Sequence, residues 1–196
     1  TTKFKEIEKC LYLYRVHGEN TWLERNQQIQ EGTKELQREW QKKLATYDAM
    51  INNLEIVNLG EVDFNIHEKW PLADNSVGVL EAYHVINQIE DKEFTMSEIY
   101  RVLDDKAWAF IEIPSTDGRG AFQDPRHKSY WNENSFWYWT KRTHAGFIAN
   151  DSIKFQNIQS GTNFPSEFFE ENNIPCTYIF LRAKKKNTKR PGSTEI

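Results

Sequence analysis

Apolar residues recur at Trp22, Ile29, Leu36, Trp40, Leu44, Tyr47 and Ile51. Steps of three, four and seven place them on one face of a helix. Thr21 with Glu24 three positions later forms a capping box, so the helix is expected to start near Trp22. Gly32 is expected to break it in two, with Thr33 capping the second piece. The polar residues between suit a surface helix, or helix pair, that connects two domains. Ahead of it, Lys9–Val16 (KCLYLYRV) has the aromatic and branched residues of a strand, closed by the turn HGEN.

From Leu54 the pattern becomes extended. LEIVNL (Leu54–Leu59) is a short strand ending at Gly60. VGVLEAY (Val77–Tyr83) and AWAFIEI (Ala107–Ile113) are apolar runs of buried-strand length. Between the last two lies TMSEIYRVL. There Thr95 and Glu98 form a second capping box, and Met96, Ile99, Tyr100 and Leu103 have helical spacing. Strand, helix, strand implies parallel neighbours. IKFQNI (Ile153–Ile158) and CTYIFLRA (Cys176–Ala183) are further strands, separated by a helical segment near Pro165–Glu171. They give the sheet an antiparallel-looking end. The expected fold class is α/β: a layered, abbreviated Rossmann-like sheet with flanking helices. The expected organisation is a strand and helical connector over 1–52, the α/β domain over 53–184, and a flexible basic tail over 185–196.

Ligands of open α/β sheets bind beyond the carboxyl ends of the strands. Gly60, His84 and the stretch from Pro114 each follow a strand directly, so all three are expected on one rim. The third leads through EIPSTDGRGAFQDPRHKSYWNENSFWYW (Glu112–Trp139), which is dense in chemistry. His127 titrates near neutrality and, with Asp124, suits acid–base work; an Asp-Pro turn with a packed His accounts for the pair equally well. Arg119 between two glycines suits an anionic or polyhydroxyl ligand, or a plain turn. The aromatic cluster, with Trp131 and Trp137 interleaved with Asn134, suits stacking on sugar rings. The same residues suit the core of a lid over the sheet, or a dimer interface.

Composition narrows the classes. The net charge is −4, which indicates no nucleic-acid or anionic-membrane surface, and the only basic block is the tail RAKKKNTKR. Two isolated cysteines exclude a disulfide framework and a zinc site. No apolar run is long enough to span a bilayer. A cytoplasmic location is expected. The chain begins with Thr1 and is expected to be a fragment or a processed product.

WPLADNSVGVLEAYHVINQI (Trp70–Ile89) and EIYRVLDDKAWAFIEIP (Glu98–Pro114) resemble the middle of class I S-adenosylmethionine-dependent methyltransferases. The loop that follows is similar to a subset found in phage and bacterial sugar-modification proteins, in which the enzyme can be fused behind a glycosyltransferase. YRVHGENTW (Tyr14–Trp22) resembles the end of a GT-A type glycosyltransferase, where a His at this place can help ligate a metal; in this chain His17 is expected to be structural, with no metal site. The resemblance implies S-adenosyl-L-methionine as cofactor, with Gly60, Asp63 and His84 on its side. It implies a glycan or nucleotide-sugar-derived acceptor, with Arg119, Gln123, Trp131, Asn134 and Trp137 holding the sugar and His127 or Asp124 as base. The chain departs from the family pattern. The usual Gly-rich turn is reduced to NLGEVDFN, the second strand is missing, and Gly78, Asn87 and Gln88 stand where the pattern has Asp, Glu and His. A non-catalytic glycan-binding or protein-interaction module is the alternative.

Overall fold

A computed structural model describes residues 22–185, with side chains from residue 32 onward. The expected strand Lys9–Val16, His17 and the tail beyond Lys185 lie outside the described residues. The chain divides into two compact units, one up to Leu44 and one from Ala45 onward.

Helix α1 runs unbroken over Trp22–Ile51, so the expected break at Gly32 does not occur. A mid-helix glycine costs about 1 kcal/mol relative to alanine. The neighbouring Gln, Glu, Lys, Leu and Arg residues are good helix formers, and propagation is favourable once a helix has nucleated. The helix stops at Asn53, which takes a left-handed φ of 55°. The Leu54 N–H donates to Ala49 O at 2.9 Å and the Asn53 N–H to Met50 O at 3.2 Å. This is the Schellman pattern, with Asn in place of the usual Gly.

The second unit holds a five-stranded sheet made of β1 (Glu55–Asn58), β2 (Val77–Tyr83), β3 (Leu103–Pro114), β4 (Phe155–Asn163) and β5 (Cys176–Ala183). Its order is β1-β2-β3-β5-β4. The first three strands are parallel, while β5 runs antiparallel to both β3 and β4. Helix α2 (Lys92–Val102) makes the crossover from β2 to β3. The second expected capping box does not form. Asp91 caps α2 instead, accepting from the Phe94 N–H at 2.9 Å, which places Thr95 one turn inside the helix. Two short helices, α3 (Gly120–Gln123) and α4 (Trp137–Thr140), lie in the long loop after β3, and α5 (Glu167–Glu171) precedes β5.

Glu98 is freed for another task. It is 6% exposed and accepts from the Trp70 N–H at 2.8 Å and from the Arg101 guanidinium at 2.8 and 2.7 Å. Arg101 also donates to the carbonyls of Leu72 and Trp70 and to the Asp74 carboxylate. One guanidinium thus fastens the segment between β1 and β2 to α2, with the Trp70 side chain fully buried beneath it.

The larger core packs Leu80, Ile99, Ile111, Trp131, Phe136 and Trp139 on one face of the sheet. The smaller one packs Ala45 and Ala49 of α1 against Val79, Phe110, Tyr178 and Phe180. Gly78 permits that second contact. A Cβ there would lie 2.5 Å from the Ala49 Cβ and 2.9 Å from the Leu54 Cβ. Any larger side chain is therefore excluded here by the approach of α1. Gly78→Ala is expected to destabilise the domain by about 1–3 kcal/mol, as overpacking does. Urea unfolding checks this through a lower midpoint at unchanged slope.

β1 is an edge strand. Among the described residues nothing extends the sheet beyond it, whereas a doubly wound sheet carries strands on both sides of its ligand crevice.

Candidate functional site

The parallel strands bring Asn58–Gly60, Tyr83–His84 and Pro114 to one rim. The pairing register sets Tyr83 directly opposite Glu112. His84 leaves β2 with φ 56°, a left-handed conformation that His tolerates better than most side chains. Its N–H is held by Glu112 O at 2.8 Å. Its Nε2 lies 3.5 Å from Glu112 Oε1, and its ring stacks on Phe169 at 5.8 Å. The imidazole stays 37% exposed and the carboxylate 23%. A histidine backed by a carboxylate and open to solvent has the arrangement of an oriented base.

The surroundings are polar and half-buried. Burial pushes the Tyr83 phenol well above its usual range, and the carboxylates of Glu81 and Glu112 push the same way, so it remains a neutral donor. Burial, with Glu112 adding to it, also pushes the Cys176 thiol up to about 12. Cys176 is therefore no nucleophile. Native protein treated with iodoacetamide at pH 8 is expected to leave Cys176 unmodified, and denaturant is expected to expose it. Peptide mass spectrometry distinguishes the two states.

The long loop is stitched to this rim. Lys128 and Ser129 donate their N–H groups to Asn87 O at 2.8 and 3.0 Å, and Thr116 donates to Trp131 O at 2.8 Å. Asn87 itself is 2% exposed, and neither its carboxamide nitrogen nor its oxygen has a hydrogen-bond partner. Within the loop, the His127 Nδ1 lies 2.9 Å from Ala121 O and its Nε2 3.8 Å from Asp124 Oδ2. Asp124 is gripped by Arg126, with contacts at 2.6 to 3.2 Å from the guanidinium and 2.9 Å from the backbone N–H. That grip holds its carboxyl well below the usual carboxylate range. Asp124 and His127 are adjacent, and both are turned toward the chain's own groups.

The aromatic cluster divides. Trp131, Phe136 and Trp139 are buried in the core. The Trp131 indole N–H donates to Ser129 Oγ at 2.8 Å, and the Lys92 ammonium sits over its ring at 4.8 Å. Trp137 and Tyr138 reach the surface, with Lys141 over the Trp137 ring. Arg119, Gln123 and Asn134 are exposed. The glycines beside Arg119 serve packing: a Cβ at Gly118 or Gly120 would lie 2.2 Å from Pro175 or Ile174. Gly60 and Asp63 are exposed beyond β1, and the Gly60 N–H donates to Asn58 Oδ1 at 3.0 Å.

Glu112 was not singled out by the sequence, and Asn87 was noted only as a departure from the family pattern. Glu112 follows the apolar run Ala107–Ile111, and a carboxylate at a strand's carboxyl end was the available signal.

No family model and no curated protein matches the chain. Several solved structures do. One is described as a type 11 methyltransferase from Sulfolobus solfataricus, at 16% identity and TM-score 0.39, covering 64% of this chain and 60% of that one. A SAM-dependent methyltransferase from Methanosarcina mazei matches at 11% identity and TM-score 0.43, covering 63% and 66%. A third, from Aquifex aeolicus, matches at 16% identity and TM-score 0.40, covering 62% and 54%. The likeness is one of fold, and this chain spans about 60% of the length of the Sulfolobus protein.

Proposed function

We propose that this chain is part of an S-adenosylmethionine-dependent O-methyltransferase acting on a sugar hydroxyl of a glycan. The observation that carries the reading is the His84–Glu112 pair at the carboxyl rim of parallel strands, beside a long aromatic loop. The sequence resemblance supplies the cofactor class. The acceptor class and the fusion to a glycosyltransferase rest on the loop and on Tyr14–Trp22 alone.

The donor set on the rim suits the cofactor. The carboxylates of Glu81 and Glu112 match its cationic, amino and hydroxyl groups. When bound, the cofactor supplies an electrophilic methyl group on a cationic sulfur.

The chain's own residues would orient the acceptor and take its proton. With Nε2–H directed at Glu112, the lone pair of His84 is on Nδ1, where an acceptor hydroxyl can deliver its proton. Glu112 then stabilises the imidazolium. Half-buried Trp137, with exposed Asn134 and Arg119, would hold the sugar. His127 and Asp124 remain the loop's own candidates for the base.

Calorimetric titration with S-adenosylmethionine and S-adenosylhomocysteine, followed by methyl-transfer assays on a glycan panel, tests the reading. Micromolar binding with turnover is expected. A folded protein that binds neither compound overturns it. The edge position of β1 and the missing Gly-rich turn favour one other reading, a glycan-binding module without catalysis. Under it, Trp137→Ala abolishes glycan binding and His84→Ala changes nothing.

A further inference from the structure

The end of the sheet opposite the rim carries a second concavity. There Phe155 pairs with Ala183, and the Lys184 N–H donates to Lys154 O at 2.9 Å. A cavity of about 440 Å³ opens beside this pair, within the size range of small-ligand sites. Its floor is apolar and buried, made of Trp139, Ile153 and Phe155. Its walls are cationic: Arg142, Lys154 and Lys184 line it together with Lys141, against the single carboxylate of Asp151. Lys141 is engaged over the Trp137 ring. The charged ends of Arg142, Lys154 and Lys184 have no partner among the described residues, and Asp151 forms no ion pair there.

A second, independent observation points the same way. Trp139 is 5% exposed, and its indole N–H is buried without a hydrogen-bond acceptor. A buried donor left unsatisfied costs roughly 1–3 kcal/mol, and a protein retains one where a ligand or water completes it. The cations converge although the chain as a whole is negative, so the concentration is local.

We propose that this cavity binds a phosphate group. Arg142, Lys154 and Lys184 supply charge-assisted hydrogen bonds to its oxygens, and the Trp139 N–H supplies a neutral one. An organic portion, where the phosphate is an ester, lies on the Trp139–Ile153–Phe155 floor. The site is at the far end of the sheet from His84 and is independent of the methyl-transfer reading.

The test uses the chain labelled with nitrogen-15 at tryptophan. Trp139→Phe, which keeps an aromatic ring and removes the N–H, identifies the Trp139 indole resonance. Titration with inorganic pyrophosphate is expected to shift that resonance saturably, with a Kd of about 1 mM or tighter. Lys154→Glu and Lys184→Glu, both at exposed positions, are expected to weaken binding about tenfold or more, because a like charge now faces the anion. Arg142→Gln on the loop gives a third variant with minimal risk to folding. The ADP arm identifies the source. Tighter binding than pyrophosphate marks a phosphate ester that uses the floor, and equal binding marks a free inorganic phosphate. The proposal is overturned if chloride at matched ionic strength reproduces the shift, or if folded variants bind pyrophosphate as tightly as the parent chain.

Discussion

Arg101→Ala is expected to destabilise the domain by about 3–5 kcal/mol, the cost of removing one member of a buried ion pair. Glu98 is then left ionised and 6% exposed, with only the Trp70 N–H to satisfy it. The carbonyls of Trp70 and Leu72 lose their donors as well. The pair to Asp74 adds little, because that carboxylate is mostly exposed. For a domain of this size the melting temperature should fall by roughly 10 °C. Arg101→Lys should recover only part of the loss, since an ammonium cannot reproduce the fork that serves five acceptors. Replacing Glu98 and Arg101 together by Gln and Met should cost less than Arg101→Ala alone, because no buried charge is stranded. The pH dependence follows the same group. Burial works to raise the Glu98 carboxyl, but Arg101 and the Trp70 N–H outweigh it and hold the group below its ordinary 4.5. A depressed carboxyl contributes stability that is fully present above its unfolded value and is lost as pH falls through its folded one. Acid unfolding of the parent chain should therefore include a loss below pH 4.5 that the double variant lacks. A cost for Arg101→Ala under about 1 kcal/mol by urea unfolding would mean that the network is incidental to the fold.

The sheet was legible because its strands carry their own signature. Val77–Tyr83 and Cys176–Ala183 are short, apolar and rich in branched or aromatic residues, and both appear with the expected bounds. The crossover helix was legible for its period, but not for its start. Asp91 outcompetes Thr95 as cap because Lys92, Glu93 and Phe94 extend the helix by one turn. Gly32 misled because a local cost of about 1 kcal/mol is small beside the cooperativity of thirty helical residues. The site was half legible. His84 could be found because it follows a strand, which is where an α/β sheet places ligands. Glu112 carried only its place at a strand's carboxyl end, because its meaning comes from the register that sets it against Tyr83. The aromatic run shows the same limit. Trp131, Phe136 and Trp139 differ from Trp137 and Tyr138 only in which way the folded loop turns them, and no spacing rule separates buried from exposed rings in so short a segment.

If the chain acts as proposed, His84→Ala is expected to lower kcat for methyl transfer about 10²–10⁴-fold, the range for a lost general base, with KM for the acceptor little changed. In that proposal the His84 side chain touches the pathway at one point, the acceptor proton, so binding of cofactor and sugar should survive its removal. Exogenous imidazole should restore part of the rate in His84→Ala, because the vacated space lies against Phe169 and opens to solvent. Glu112→Gln should act in the same direction but less severely. It keeps the shape beside Nε2 and removes only the charge that stabilises the imidazolium. The double variant should be little worse than His84→Ala, since Glu112 works through the histidine. His127→Ala gives the comparison that discriminates. Its Nδ1 is committed to Ala121 O and its Nε2 faces Asp124, so a proton acceptor there would first have to break its own contacts. If His127→Ala abolishes turnover while His84→Ala retains it, the base is in the loop and the rim pair is structural. If imidazole rescues only His84→Ala, the proton leaves through the rim, and the long loop serves to hold the sugar against it.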